Sequence, residues 1–132
     1  MPTDEVKKYF NGKINYSAVS ELADLFQVSF QAALNRCIDL NTEDCMVIFS
    51  VNRWIKWFKP TDGFHLYLNR QKVSELSVAD ELFDLRVSKV KTIEEPGYVW
   101  FRNADDTSII EESIAFPNYN AVISIIHLKD EL

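Results

Sequence analysis

The chain has 132 residues, 47% of them hydrophobic and 26% charged, which suits one globular domain or a small helical unit joined to a modest domain. Only three glycines and four prolines occur, which excludes collagen-like, linker-like and low-complexity sequences. Twenty acidic residues against 14 Lys and Arg give a net charge of -6, which argues against a dedicated nucleic-acid binder because duplex affinity comes largely from neutralising phosphates.

The sequence predicts a cytoplasmic chain with reduced thiols and no membrane partner. Cys37 and Cys45 form neither a C-x-x-C pair nor a metal-ligand spacing. No apolar run is long enough to span a bilayer, and no apolar leader segment follows Met1. The terminal residues 129–132 spell an ER-retrieval signal. A receptor inside the secretory pathway reads that signal, and because no leader segment is expected to direct the chain there, we interpret the match as incidental.

The segment 1–40 predicts three short helices. Thr3 is expected to cap the first helix, Ser17 the second and Ser29 the third, and Gly12 to end the first. The second and third helices carry apolar residues at helical spacing, namely Val19, Leu22, Ala23 and Phe26, then Phe30, Ala33, Leu34, Cys37 and Ile38. Two amphipathic helices joined by a turn at residues 27–29 form a helix-turn-helix pattern.

The segment 41–132 predicts an α+β domain. Residues 45–59 are rich in Val, Ile, Phe and Trp and are expected to form one long strand, bent or bulged. Further strands are predicted at residues 65–68, 87–93, 98–102, 108–116 and 121–128, with a helix near 77–86 that Ser77 caps. Short strands joined by hairpin-length links favour an antiparallel sheet of about five strands with one helix.

A basic and aromatic run at residues 53–59 is the one dense cationic segment. Aromatic side chains beside cations can stack single-stranded bases, although a core strand whose Lys and Arg reach solvent explains the run more simply. The same aromatics, with Tyr98 and Trp100, are an alternative lining for a small-molecule pocket. The candidate pocket or interaction residues are Arg53, Trp54, Lys56, Trp57, Trp100, Glu111 and Glu112.

Two acidic dipeptides, Glu94-Glu95 and Glu111-Glu112, are candidates for a general acid/base pair. Adjacent residues of a strand point to opposite faces, so neither dipeptide is such a pair by itself. We expect one Glu of each to face solvent, and Glu111 or Glu112 to pair with Arg53 or another cation. No metal-binding, phosphate-binding or nucleophile motif is present, so we expect no catalytic residue, no metal and no cofactor.

The third helix offers Gln31, Asn35 and Arg36 to a DNA major groove. Residues 1–40 nevertheless carry five acidic residues against four basic ones. The charge therefore predicts weak, salt-labile DNA binding at most.

The whole chain resembles the C-terminal part of ImmA/IrrE-type zinc metallopeptidases. Residues 22–29, Leu-Ala-Asp-Leu-Phe-Gln-Val-Ser, and residues 32–36, Ala-Ala-Leu-Asn-Arg, are similar to that family's helix-turn-helix, with Gln27 where Gly is usual. Met1-Pro2 resembles the end of the family's peptidase domain. The rest of the chain resembles that family's downstream region, which can be GAF-like. The residues that carry this resemblance are Arg53-Trp54, Gly63-Phe64, residues 110–113 and the pattern Tyr119-x-x-Val122-x-Ser124-Ile125-Ile126.

This resemblance implies a non-catalytic role for the chain. The family's zinc motif would lie before Met1, so no catalytic residue carries over. The implied function is a regulatory and interaction region of a bacterial or phage-related metallopeptidase that cleaves a helix-turn-helix repressor in a stress or mobile-element response. The implied partners are the peptidase domain and the repressor. The alternative is a stand-alone module that senses a small ligand or binds DNA.

Overall fold

A computed structural model describes residues 3–129, and Met1-Pro2 and residues 130–132 of the C-terminal signal-like sequence lie outside the described residues. The described chain is of the predicted α+β class, with one five-stranded antiparallel sheet of order β2-β1-β5-β4-β3. The elements are α1 (Thr3–Tyr9), α2 (Tyr16–Phe26), α3 (Phe30–Asp39), β1 (Cys45–Val51), β2 (Trp54–Pro60), α4 (Val78–Leu85), β3 (Val90–Pro96), β4 (Ser108–Phe116) and β5 (Ala121–Leu128).

Side-chain caps fix where the longer helices begin. The Ser29 hydroxyl accepts a hydrogen bond from the Ala32 amide at 3.1 Å, and Ser77 caps α4 in the same way, as predicted. The predicted cap of α2 was wrong, because Asn15 rather than Ser17 occupies that position and accepts from the Ala18 amide at 2.9 Å. Both side chains are good caps, and the extended backbone at Asn15 decides between them.

The sheet is the middle of three layers. One face packs against α2 and α3 through a cluster that includes Leu34, Val47 and Ile125. The other face packs against α4 and the long loops through a cluster that includes Ile48 and Leu82. Near residue 41 the chain therefore passes from the helical layer of α1–α3 into the sheet on which α2 and α3 pack. A domain boundary at that point stays a prediction.

The single long strand predicted over residues 45–59 was wrong, because the chain reverses in its middle. Asn52 and Arg53 form a two-residue turn with φ of 52° and 71°, the sign that a type I′ hairpin turn requires at both positions. The pairing of β1 with β2 is also irregular between Phe49 and Ser50. The turn lacks the usual glycine, and for that reason the sequence did not predict it.

Two other predicted strands are not strands. Residues 65–68 contribute only an isolated bridge, from Leu68 to Phe101. Within residues 98–102 the chain begins as a 3-10 helix, Gly97–Val99. Trp100 and Phe101 are buried in the second segment, although neither segment is a strand, whereas Tyr67 and Tyr98 are exposed. β3 also lies later than predicted, at Val90–Pro96.

Between residues 3 and 129, no helix has both the length and the apolar character needed to cross a bilayer.

Candidate functional site

A cleft with a volume of about 780 Å³ lies between β2 and the loop of residues 64–71. Its floor is apolar, its walls carry aromatic rings and its rim carries three cations. The side chains concerned are Met46, Ile55, Phe64, Leu66 and Leu68 on the floor, Phe58 and Tyr67 on the walls, and Lys56, Arg70 and Arg102 on the rim. Trp57 also borders the cleft, but its ring stacks on Phe49 at the face of the sheet that the helices cover.

Backbone hydrogen bonds attach the loop at two points, once to β2 and once to the segment after β3. At one end the Ile55 amide donates to the Gln71 carbonyl at 2.7 Å, and the loop is tied to the edge of β2. At the other end the Arg102 amide donates to the Tyr67 carbonyl at 3.0 Å, which ties the loop to the segment after β3. Beyond Ile55 the outer edge of β2 makes no backbone hydrogen bond to any described residue, and the cleft lies beside this open edge.

The cleft is electropositive although the whole chain is acidic. No Asp or Glu lines it. None of the three rim cations forms an ion pair with a described residue, whereas Arg53 and Lys59 do. The Arg102 guanidinium instead lies 5.5 Å from the centre of the Tyr67 ring. The rim charges are therefore left to interact with solvent or with a ligand.

A second polar feature, the Glu111 network, lies inside the core beneath the first turn of α4. The fully buried Glu111 carboxylate accepts hydrogen bonds from the Val78 and Ala79 amides at 3.1 and 2.8 Å. The Trp100 indole N–H donates to it at 3.1 Å, and the Ser113 hydroxyl at 2.6 Å. An anion at the start of a helix is stabilised by the free amides and by the helix dipole.

Glu95 lies next to this network on the same face of the sheet, because β3 pairs with β4 in a register that sets Ile93 opposite Glu111. Its side chain is 6% exposed, and neither carboxyl oxygen has a hydrogen-bond partner among the described residues. Burial above all, together with neighbouring Glu111, raises the pKa of Glu95 to about 10. Glu95 is therefore protonated at neutral pH.

The sequence did not predict this carboxyl pair, which joins one member of each acidic dipeptide. The expectation that one Glu of each dipeptide faces solvent is confirmed for Glu94, which is exposed, whereas Glu112 is half-buried and accepts from the Tyr16 amide. Only the strand register could have shown that Glu95 and Glu111 meet. Neither residue lines the cleft, so the pair has no access to a substrate there.

The predicted pocket residues other than Arg53 lie in four different surroundings. Lys56 and Trp57 line the cleft. Trp54 is half exposed at the β2 edge beside Lys72. Trp100 and Glu111 belong to the Glu111 network. Glu112 is on the opposite face of the sheet, where it accepts from the Tyr16 amide at 2.6 Å.

The expected pairing of Glu111 or Glu112 with Arg53 was wrong. The Arg53 Nε lies 3.0 Å from an Asp80 carboxylate oxygen, and the guanidinium also contacts Asp84 and the Phe83 ring. These contacts raise the pKa of Arg53, chiefly through the hydrogen bond to Asp84. Arg53 thus ties the β1–β2 turn to α4.

The three residues predicted to touch DNA have different surroundings. The Arg36 guanidinium donates to the Thr3 hydroxyl on α1. Gln31 borders an apolar groove of about 320 Å³ that also contains Phe30 and Phe116, and Asn35 is half buried. Arg36, the one cation of the set, is therefore engaged within the helical layer.

The two cysteines and His127 offer no nucleophilic site. Burial raises the pKa of Cys37 to about 11 and that of Cys45 to about 12, so both remain thiols. Burial also lowers the pKa of His127, whose Nε2 lies 3.4 Å from Glu43. Over residues 3–129, no three His, Cys, Asp or Glu side chains converge as metal ligands.

No protein-family profile matches the chain, and no curated protein sequence matches it. The geometry of the cleft and the resemblance of the sequence to ImmA/IrrE-type metallopeptidases are therefore the two observations that bear on function.

Proposed function

We propose that this chain is the non-catalytic regulatory and interaction region of an ImmA/IrrE-like metallopeptidase, one that cleaves a helix-turn-helix repressor. In this proposal residues 41–132 form a GAF-like ligand-sensing unit, and residues 1–40 form a helix-turn-helix-like unit that packs and connects. The chain acts in the cytoplasm of a bacterium or in a phage-related system.

The cleft between β2 and residues 64–71 is the observation that carries the proposal. Its lining combines apolar, aromatic and cationic side chains, which suit binding. It contains no His, Cys, Ser, Asp or Glu, so it offers no imidazole, thiol, serine hydroxyl or carboxylate for catalysis. A concave surface of this composition favours recognition over chemistry.

The helical layer supports the interaction part of the proposal. The stripe of α3 formed by Ala33, Leu34, Cys37 and Ile38 is buried against α2 and the sheet, so it serves packing. Tyr9 and Leu25 leave apolar surface exposed on the outer side of this layer. Exposed apolar side chains of this kind suit contact with another domain.

The native polypeptide tests this proposal. Mass spectrometry of the endogenous protein, with its co-purifying partners, should find a His-Glu-x-x-His segment in the same polypeptide or in a tightly bound partner. Loss of that segment's histidines should abolish cleavage of the repressor, and substitutions in this chain should only modulate it. An endogenous protein with no such segment and no metallopeptidase partner would contradict the proposal.

The cleft equally favours a second candidate, a stand-alone sensor of a small ligand. Direct DNA reading has less support, because the Arg36 guanidinium is engaged by Thr3. The same mass measurement separates the two candidates, since a stand-alone sensor has no peptidase partner.

A further inference from the structure

The charge distribution around the cleft points to an anionic ligand. The chain has six more acidic than basic residues, yet this cleft is lined by three cations and no acid. Such a local reversal of charge attracts anions to the cleft, whereas the rest of the acidic surface repels them. Arg70 and Arg102 add planar guanidinium groups, which bind carboxylates and phosphates through paired hydrogen bonds.

The floor and walls of the cleft point to a ligand with an apolar or ring-bearing body. Phe64 and Met46 form a closed apolar floor. Phe58 and Tyr67 are 52% and 57% exposed, so their rings are available for stacking. A volume of about 780 Å³ falls within the range of roughly 300–1,000 Å³ that small-molecule sites occupy.

An added peptide strand is the rival occupant, since the edge of β2 is open beyond Ile55. Three features of that edge oppose strand addition: the irregular pairing beside Ser50, the charged Lys56 and Lys59, and the terminal Pro60. Natural sheets use bulges, lysines and prolines to prevent pairing at an edge. The edge is therefore poorly suited to a strand, whereas the concave floor beside it is well formed.

We propose that this cleft binds a small organic anion, a carboxylate or phosphate attached to an apolar or aromatic body. The anionic group lies between Arg70 and Arg102 at the rim, and the body lies on the floor against Phe64 and the wall rings. This inference rests on the proposed function for its regulatory purpose, but binding is measured on this chain directly.

Nuclear magnetic resonance titration with matched probes tests the inference. Naphthaleneacetate and naphthyl phosphate should shift the amide signals of residues 55–58 and 64–71, and the ratio of their affinities tells a carboxylate site from a phosphate site. Naphthaleneacetamide, which has the same body without the charge, should bind at least about tenfold more weakly, because a hydrogen bond to a charged group is the stronger kind.

Charge variants locate the anion. Arg70→Gln and Arg102→Gln should each weaken naphthaleneacetate binding by about tenfold, and Arg102→Lys should retain part of it. Lys89→Gln removes one exposed positive charge outside the cleft and should leave binding unchanged. The spectrum of each free variant verifies that it is folded.

Several outcomes would overturn the inference. One is equal affinity for naphthaleneacetate and naphthaleneacetamide, and another is a loss of affinity in Lys89→Gln as large as that in the two arginine variants. A third is that amide signals shift only outside residues 55–58 and 64–71. The last is that an extended acidic peptide pairs with β2 while the small acids do not bind. Probe binding by a protein that lacks a peptidase partner would remove the proposed function and leave this inference standing. A peptidase partner together with a cleft that binds no probe would do the reverse.

Discussion

Glu111 shows how one residue can anchor a helix to a sheet. Its carboxylate accepts four hydrogen bonds, from the first amides of α4, from Trp100 and from Ser113. The Ser113 hydroxyl continues to the Ser124 hydroxyl at 2.7 Å, so the network reaches the central strand of the sheet. A buried charge is tolerated here because donors surround it.

Glu95 gives the first prediction, a stability that falls as pH rises. Its pKa is about 10 in the folded protein against 4.5 ordinarily, so between these values only the folded state holds the proton. The contribution of Glu95 to the free energy of unfolding is therefore largest at acid pH and falls with a slope of up to about 1.4 kcal/mol per pH unit as pH rises towards 10. Glu95→Gln mimics the protonated acid and should remove this loss.

Denaturant unfolding at several pH values between 5 and 9 measures the effect of Glu95→Gln. Glu94→Gln is the matched control, because Glu94 is the exposed neighbour that pairs with Lys129 at the surface. It should leave the pH profile close to that of the wild type. A Glu95→Gln profile as steep as the wild-type profile would show that Glu95 is already ionised in the folded protein.

Among the elements, the four helices and the α+β class follow from the sequence, because caps and the helical spacing of apolar residues are local signals. The β1–β2 turn does not follow, because Asn52-Arg53 is an unusual sequence for positive φ at both positions. Nor does the cleft, since its walls come from β2, a loop and Arg102, which only the tertiary fold brings together. Of the predicted pocket residues, the cleft contains Lys56 and Trp57.

The β1–β2 turn gives the second prediction. Arg53→Gln should lower the free energy of unfolding by about 1 kcal/mol, because it removes partly exposed ion pairs to α4. The loss should disappear in a background that already carries Asp80→Asn and Asp84→Asn. A double-mutant cycle by chemical denaturation measures this coupling. Full additivity would mean that Arg53 does not hold α4.

The turn after β3 gives the third prediction. A methyl group added at Gly97 would lie 2.6 Å from the Ala104 Cβ and 2.9 Å from the Thr107 carbonyl oxygen, both held in packed structure. Gly97→Ala should therefore destabilise the protein by about 1–3 kcal/mol. It should also shift the Trp100 fluorescence, because the same turn directs the indole N–H towards Glu111.

Gly63→Ala is the control for Gly97→Ala. Its added methyl group would meet the Asp44 carboxylate, the end of a flexible side chain that can move away. Gly63→Ala should therefore lower the free energy of unfolding by less than Gly97→Ala does, as measured by thermal unfolding of both variants. The opposite order would contradict the packing described for Gly97.

At the scale of the whole molecule, charge gives the fourth prediction. A net charge of -6 and an engaged Arg36 predict weak, salt-labile DNA binding without sequence preference. A mobility-shift titration at about 150 mM salt measures it. Any residual binding should be lost in Lys56→Ala. Sub-micromolar binding to one duplex, lost in Arg36→Ala and kept in Lys56→Ala, would show that α3 reads DNA.

The rate of repressor cleavage tests the regulatory role most directly. The measurement compares the proposed metallopeptidase in three forms: with this chain intact, with Arg70→Gln and Arg102→Gln together, and with Lys89→Gln. The purified chain alone should cleave nothing, the cleft variant should change the rate severalfold at unchanged zinc content, and Lys89→Gln should behave as the intact form. Cleavage by the chain alone, or the same rate in all three forms, would contradict a regulatory role for the cleft.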